Sequence, residues 1–93
     1  MNKSLSVKGT VWRWPGDGGW YFVTIDREVS AEISAQYPKG FVKVSASIGR
    51  VVWETSLFPY RRDRTYLICV TKKVRQQTGI MEGDSVTIKL SFR

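Results

Sequence analysis

The sequence predicts a mainly β chain, a small barrel of six strands with two short helices. Three observations lead there. The last stretch alternates without interruption, Val86, Ile88, Leu90 and Phe92 on one side and Ser85, Thr87, Lys89, Ser91 and Arg93 on the other, which is the period of a half-buried strand. Other short runs rich in β-branched and aromatic residues recur between turn-forming residues, at the spacing of small barrels that close their own edges. Two segments carry helix-start residues, Asp26 and Thr71, of the type that caps a first turn.

Leu5 to Arg13 is the first strand, with Leu5, Val7, Gly9 and Val11 on one face and Ser6, Lys8 and Thr10 on the other. Trp12 and Trp14 interrupt the polar face, so that face is expected to be covered near the strand's end. Pro15 to Gly19 is a turn by composition. Trp20 to Ile25 returns as a strand with apolar groups on both faces, the pattern of a covered sheet. Asp26 then opens a helix in which Glu28 sits near the positive end and Val29, Ile33 and Tyr37 form one apolar stripe. Pro38 and Gly40 stop it. Phe41 to Ile48 is a strand, Gly49-Arg50 a tight turn, and Val51 to Phe58 the hairpin partner, which Pro59 ends. Residues 60–64 form a basic loop and Thr65 to Val70 the fifth strand. Thr71 caps a helix over 72–78, Gly79 takes the left-handed position after it, and residues 80–84 lead into the last strand.

Ninety-three residues suffice for one hydrophobic core, and residues 1–93 read as one domain. No run approaches the roughly 20 apolar residues of a membrane span, so no membrane partner is expected. Met1 to Val7 has neither a long apolar run nor a small-residue cleavage pattern and reads as the start of the mature protein. The lone Cys69 cannot close an internal disulfide, which fits a cytoplasmic setting. The net charge of +7 is unevenly placed: residues 60–75 set Arg61, Arg62, Arg64, Lys72, Lys73 and Arg75 against Asp63 alone. Such a field favours anionic partners, nucleic acid among them. It also serves simply to keep a small protein soluble.

Catalytic and metal-binding groups are sparse. The absence of histidine removes the commonest general base and zinc ligand, and one cysteine cannot build a soft metal site. No cofactor, metal or catalytic residue is therefore expected. Cys69, mid-strand among apolar neighbours, reads as a buried, inert thiol. Asp26 and Glu28 are explained by capping, and Glu82 and Asp84 by the turn around Gly83. Glu54 reads as a cross-strand partner of a basic residue, or as an acid in a groove. The turn at residues 15–19 has neither the phosphate-loop ending nor the dinucleotide spacing.

The aromatic residues carry more information. Trp12, Trp14, Trp20 and Tyr21 cluster around the first turn, and Trp53, Phe58 and Tyr60 lead into the basic loop. Large rings fill small barrels and cover their ends; exposed beside arginines, they stack the bases of single-stranded nucleic acid. The candidate binding surface is thus Trp53, Tyr60, Arg61, Arg62 and Arg64. A second candidate is the helix start Thr71, Lys72, Lys73 and Arg75, where unpaired N–H groups and positive charge suit phosphate or sulfate. The competing reading there is that Val74 packs inward while its charged neighbours are solvated.

Two stretches carry a family resemblance: Val52 to Pro59, and Tyr66 to Ile88 with its Lys72-Lys73-Val74-Arg75 helix followed by Gly79-Ile80 and Gly83-Asp84. With Gly19-Trp20-Tyr21-Phe22-Val23 they resemble a bacterial and archaeal domain family of unassigned function, whose members occur alone or beside bacteriocin-protection (YdeI/OmpD-associated) domains. The resemblance covers nearly the whole chain. It implies a double-split β-barrel capped by helices, an architecture similar to that of the AbrB and MazE transition-state and antitoxin proteins, which bind DNA as dimers. The sequence departs from the family pattern at Gly49-Arg50, where an Asn-Gly-like turn is frequent, and at Val70-Thr71, where a proline often precedes the helix lysine.

Three function classes remain. The leading one is a non-catalytic binding or accessory domain of unassigned role. The second is a nucleic-acid-binding regulator using residues 60–75. The third is a small-molecule-binding domain or enzyme, which requires a pocket lined by Glu54, Tyr60, Tyr66 or the arginines. The expected partner is an anionic ligand or nucleic acid, and the chain is expected to be a monomer or a homodimer.

Overall fold

In the computed structural model, which describes residues 4–38 and 40–92, the alternating segments become β1 (Ser4–Arg13), β2 (Tyr21–Ile25), β3 (Val42–Ile48), β4 (Val51–Tyr60), β5 (Thr65–Cys69) and β6 (Ser85–Phe92), with helices α1 (Arg27–Gln36) and α2 (Lys72–Thr78). The strands close a mainly β barrel in the order β1-β2-β5-β4-β3-β6, every neighbouring pair antiparallel.

Closure rests on the two long strands. β1 pairs with β6 from Ser4 to Thr10 and with β2 from Val11 to Arg13. β4 pairs with β3 from Val51 to Leu57, then with β5 from Phe58 to Tyr60. Each therefore joins two sheets, which leaves only short stretches of open edge to recruit other strands. Just before β1 changes partner lies Gly9, where a Cβ would lie 2.7 Å from Val23 Cγ1 and 3.1 Å from the Thr24 carbonyl oxygen. Only a residue without a side chain lets β1 pass so close to β2.

The inward residues Val7, Val11, Val23, Ile25, Val44, Leu57, Ile68, Ile88 and Leu90 form the core. α1 follows the end of β2 and α2 follows the end of its antiparallel neighbour β5, so the helices cap opposite ends of the barrel. Ile33 and Val74 are the residues they insert. Val29 and Tyr37 flank Ile33 as half-buried neighbours, with Tyr37 stacked on Phe92 at 5.2 Å. The caps form as the sequence predicts: Asp26 Oδ1 accepts from the Val29 amide at 2.9 Å, Thr71 Oγ1 from the Val74 amide at 3.4 Å, and Gly79 adopts φ 74°. A second apolar cluster lies on the outside of the barrel, where Phe22, Leu67 and Cys69 are covered by Trp12, Phe58 and Tyr60. β5 is consequently buried on both faces.

The structure corrects the sequence reading at Pro59. It does not end the strand: β4 runs on to Tyr60, with Pro59 opposite Tyr66 and Tyr60 opposite Thr65, so the basic loop begins at Arg61. The Tyr66 amide donates to Ser30 Oγ at 3.1 Å, away from β4, so the Pro59–Tyr66 pair exchanges no hydrogen bonds and needs no N–H from Pro59. Trp20 and Val70 lie just outside β2 and β5, although the Val70 amide still reaches the Tyr21 carbonyl at 2.9 Å.

Ser30, outside the predicted apolar stripe, is 2% exposed. Its Oγ donates to the Ile25 carbonyl at 3.0 Å and accepts from the Tyr66 amide, tying β2, α1 and β5 at one point. Among the described residues no helix is long and apolar enough to cross a membrane.

Two substitutions test this construction. Gly9→Ala forces a methyl into Val23 and is expected to destabilise by about 1–3 kcal/mol. Ser30→Ala strands a buried amide and a carbonyl, at about 1–3 kcal/mol. Urea unfolding reads both; an unchanged midpoint for either variant refutes the corresponding contact as a structural requirement.

Candidate anion-binding groove

A groove of about 820 Å³ runs between α1 and the β4–β5 turn. Its floor is made of the small α1 residues Ser30, Ala31, Ser34 and Ala35, and its rim carries Arg27, Arg61 and Arg64. Among the described residues, no acidic side chain lines it. The turn is held by bonds from the Asp63 amide to the Tyr60 carbonyl at 3.2 Å and from the Arg64 amide to the Arg61 carbonyl at 3.4 Å. Arg27 pins the turn to the helix, its Nε donating to the Asp63 carbonyl at 3.1 Å.

Three local features of this groove run against ordinary preference. Arg27 puts a cation in the first turn of α1, the positive end of the helix dipole. Arg64 holds φ 58°, the only positive φ among the described non-glycine residues, at a cost of roughly 1–2 kcal/mol for a side chain in that region. Thr65, 8% exposed, lines the groove, and its buried Oγ1 has no hydrogen-bond partner.

The sequence-proposed surface is only partly assembled. Tyr60, Arg61 and Arg64 meet at the groove, while Arg62 is exposed on the same turn outside it. Trp53 lies seven residues back along β4, roughly 23 Å at ~3.3 Å per residue, opposite Ala46 and packed on the main core. Its buried Nε1 is unpartnered. Glu54 points outward opposite Ser45 and does not line the groove, whereas Tyr66 does. Arg27 was not legible as a site residue: a lone arginine after a capping aspartate carries no motif, and only its unfavourable place in the first turn hints at another role.

The family model described as a domain of unknown function (DUF1905) matches residues 8–90. The chain belongs to the DUF1905 family. No curated protein matches it.

The second candidate site of this DUF1905 domain lies at the other end of the barrel, because β5 separates residues 61–64 from residues 71–75. The basic stretch seen in the sequence is therefore two surfaces. Thr71, Lys72 and Arg75 join Arg13, Trp20 and Glu82 around a concavity of about 630 Å³, and Lys73 is exposed outside it. Two of these residues are engaged structurally: Thr71 caps α2, and Arg75 donates from Nε to the Val70 carbonyl at 3.2 Å with its guanidinium carbon 3.7 Å above the Tyr21 ring centre. Glu82 places a carboxylate at the same concavity. The Glu82 turn itself is closed by Asp84, whose Oδ2 accepts from the Met81 amide at 2.8 Å.

Cys69 is buried beside Arg75. Burial disfavours the thiolate and raises the thiol above its ordinary range, and the nearby Arg75 charge opposes that rise in part. Because the thiolate is the reactive form, iodoacetamide should alkylate the folded protein slowly at neutral pH, with the rate rising at higher pH than for the unfolded chain. Arg75→Gln should move that profile further upward. Alkylation of the folded protein at the unfolded rate would contradict this placement.

Proposed function

We propose that this DUF1905 domain is a non-catalytic binding or accessory module whose ligand is anionic and sits in the groove between α1 and the β4–β5 turn. The observation that carries the reading is the meeting of Arg27, Arg61 and Arg64 around a groove with no acidic side chain in its lining among the described residues. Like charges brought together repel, and an anion between them relieves that repulsion through charge-assisted hydrogen bonds. The Thr65 hydroxyl and the small α1 side chains leave room for a phosphate-sized group. A non-catalytic role is supported by the absence of histidine from the sequence and by the place of Glu54 outside the groove. The single thiol supports a cytoplasmic setting.

A second reading, a nucleic-acid-binding regulator, is favoured by Tyr60, which lines the groove and also belongs to the outer aromatic cluster. The resemblance to AbrB- and MazE-like proteins supports this reading too. β1 and β4, each divided between two sheets, fit the double-split description that comes with it. Barrel closure within one chain supports a monomer as the binding unit, which a homodimer would present twice.

Calorimetric titration with inorganic tripolyphosphate at two salt concentrations tests the groove. Binding should weaken with salt and fall roughly tenfold or more in Arg61→Ala/Arg64→Ala, with urea stability retained. Equal binding by the variant places the ligand elsewhere and overturns the reading.

A further inference from the structure

The outer face of β1, β2, β5 and β4 carries a continuous layer of rings. Trp12 contacts Trp14 and Phe22 at 5.7 and 5.5 Å, Trp14 meets Tyr60 edge-on at 6.2 Å, Phe22 contacts Phe58 at 6.3 Å, and Phe41 stacks on Phe58 at 4.9 Å. The layer buries Phe22, yet it leaves Trp14 39% and Phe41 66% exposed. Covering the barrel wall accounts for the inner rings; it does not account for two large rings left open to water on the layer's outside.

The layer and the groove share a border. Tyr60 is a member of both, Phe41 follows the groove residue Gly40, and Arg61 follows Tyr60. The two exposed rings are thus joined, through Tyr60 and Gly40, to the groove that carries the guanidinium groups. A charged backbone in the groove puts whatever flat groups it carries against Trp14 and Phe41. Duplex nucleic acid hides its base faces, and neither cap suits a major groove: α1 carries Glu28 and Glu32 along its exposed side, and α2 has only seven residues. A single strand offers both the phosphates and the free base faces.

We infer that the occupant is single-stranded nucleic acid, its phosphates held by Arg27, Arg61 and Arg64 and its bases stacked on Trp14 and Phe41. This rests on the groove being an anion site. Stacking on rings is tolerant of sequence, so binding depends weakly on base identity and strongly on salt.

The test is fluorescence anisotropy of the full chain with a labelled oligothymidylate, an abasic deoxyribose-phosphate oligomer of the same length, and a duplex of that length. Trp14→Leu and Phe41→Leu are measured beside Arg61→Ala/Arg64→Ala, with urea unfolding to verify that each variant folds. The oligothymidylate should bind more tightly than the abasic oligomer and the duplex and should quench tryptophan emission. Each ring variant should weaken it by roughly tenfold while leaving the abasic oligomer unaffected. Phe41→Leu alone carries the result if Trp14→Leu does not fold. Equal affinity for the oligothymidylate and the abasic oligomer, with no effect of Phe41→Leu, overturns the single-strand assignment and leaves the anion groove standing. Binding of none of the three probes overturns the single-strand assignment, and the tripolyphosphate titration then decides whether the groove binds an anion at all.

Discussion

Because β1 and β4 each pair with two neighbours in succession, the barrel closes only if both strands bend while their inward residues stay inward. Gly9, just ahead of the change of partner in β1, brings no Cβ to meet Val23. In β4 the change of partner falls between Leu57 and Phe58, and alternation carries through it, so Leu57 stays in the core while Phe58 and Tyr60 join the outer cluster. A one-residue slip at either strand would exchange the two faces. The core, the ring layer and the positions of both helices follow from these two crossings.

The groove is a by-product of the second crossing. β3 begins at Val42, opposite Leu57, so the last three residues of β4 have β5 on one side and no β3 on the other. Pro59 sits in that stretch. With no N–H to offer, it denies an added strand one ladder hydrogen bond, which disfavours sheet extension at an exposed edge. α1 faces that stretch across the groove, held by the Ser30 hydroxyl against β2 and β5. The wall, the floor and the arginine-bearing turn are thereby fixed relative to one another.

The alternating patterns and capping residues were enough to place six strands and two helices, since Val86 to Phe92 and Val42 to Ile48 encode their faces by period alone and Asp26, Thr71 and Gly79 mark ends by local bonding. Two things were hidden. Pro59 was read as a stop because its effect depends on which side of the strand lacks a partner, a tertiary fact. Ser30 does not stand out in the sequence because a serine in a helix is ordinarily solvated, and its burial depends on a contact with Tyr66, thirty-six residues away. Of the site, Tyr60, Arg61 and Arg64 were legible as a local run. Trp53 was grouped with them by proximity in sequence, but the alternation that turns its ring to the core and the length of β4 separate it. Arg27 reaches the groove only through the fold.

The two basic ends of the barrel differ in a way that separates structure from function. At the α2 end Thr71 caps, Gly79 takes the left-handed position, and Arg75 satisfies a carbonyl and lies over Tyr21, although Lys72 and Lys73 also put cations in a helix's first turn. At the α1 end three preferences are violated within one groove, by a cation at a positive helix end, an arginine in the left-handed region and a buried hydroxyl without a partner. Each costs stability, and only Arg27 returns a contact to the fold, through its bond to the Asp63 carbonyl. Sequences generally satisfy local and global requirements together, and departures collect where a ligand supplies the missing interaction. On the proposed reading, an anion in the groove compensates the gathered charge of Arg27, Arg61 and Arg64 and gives the left-handed Arg64 a contact.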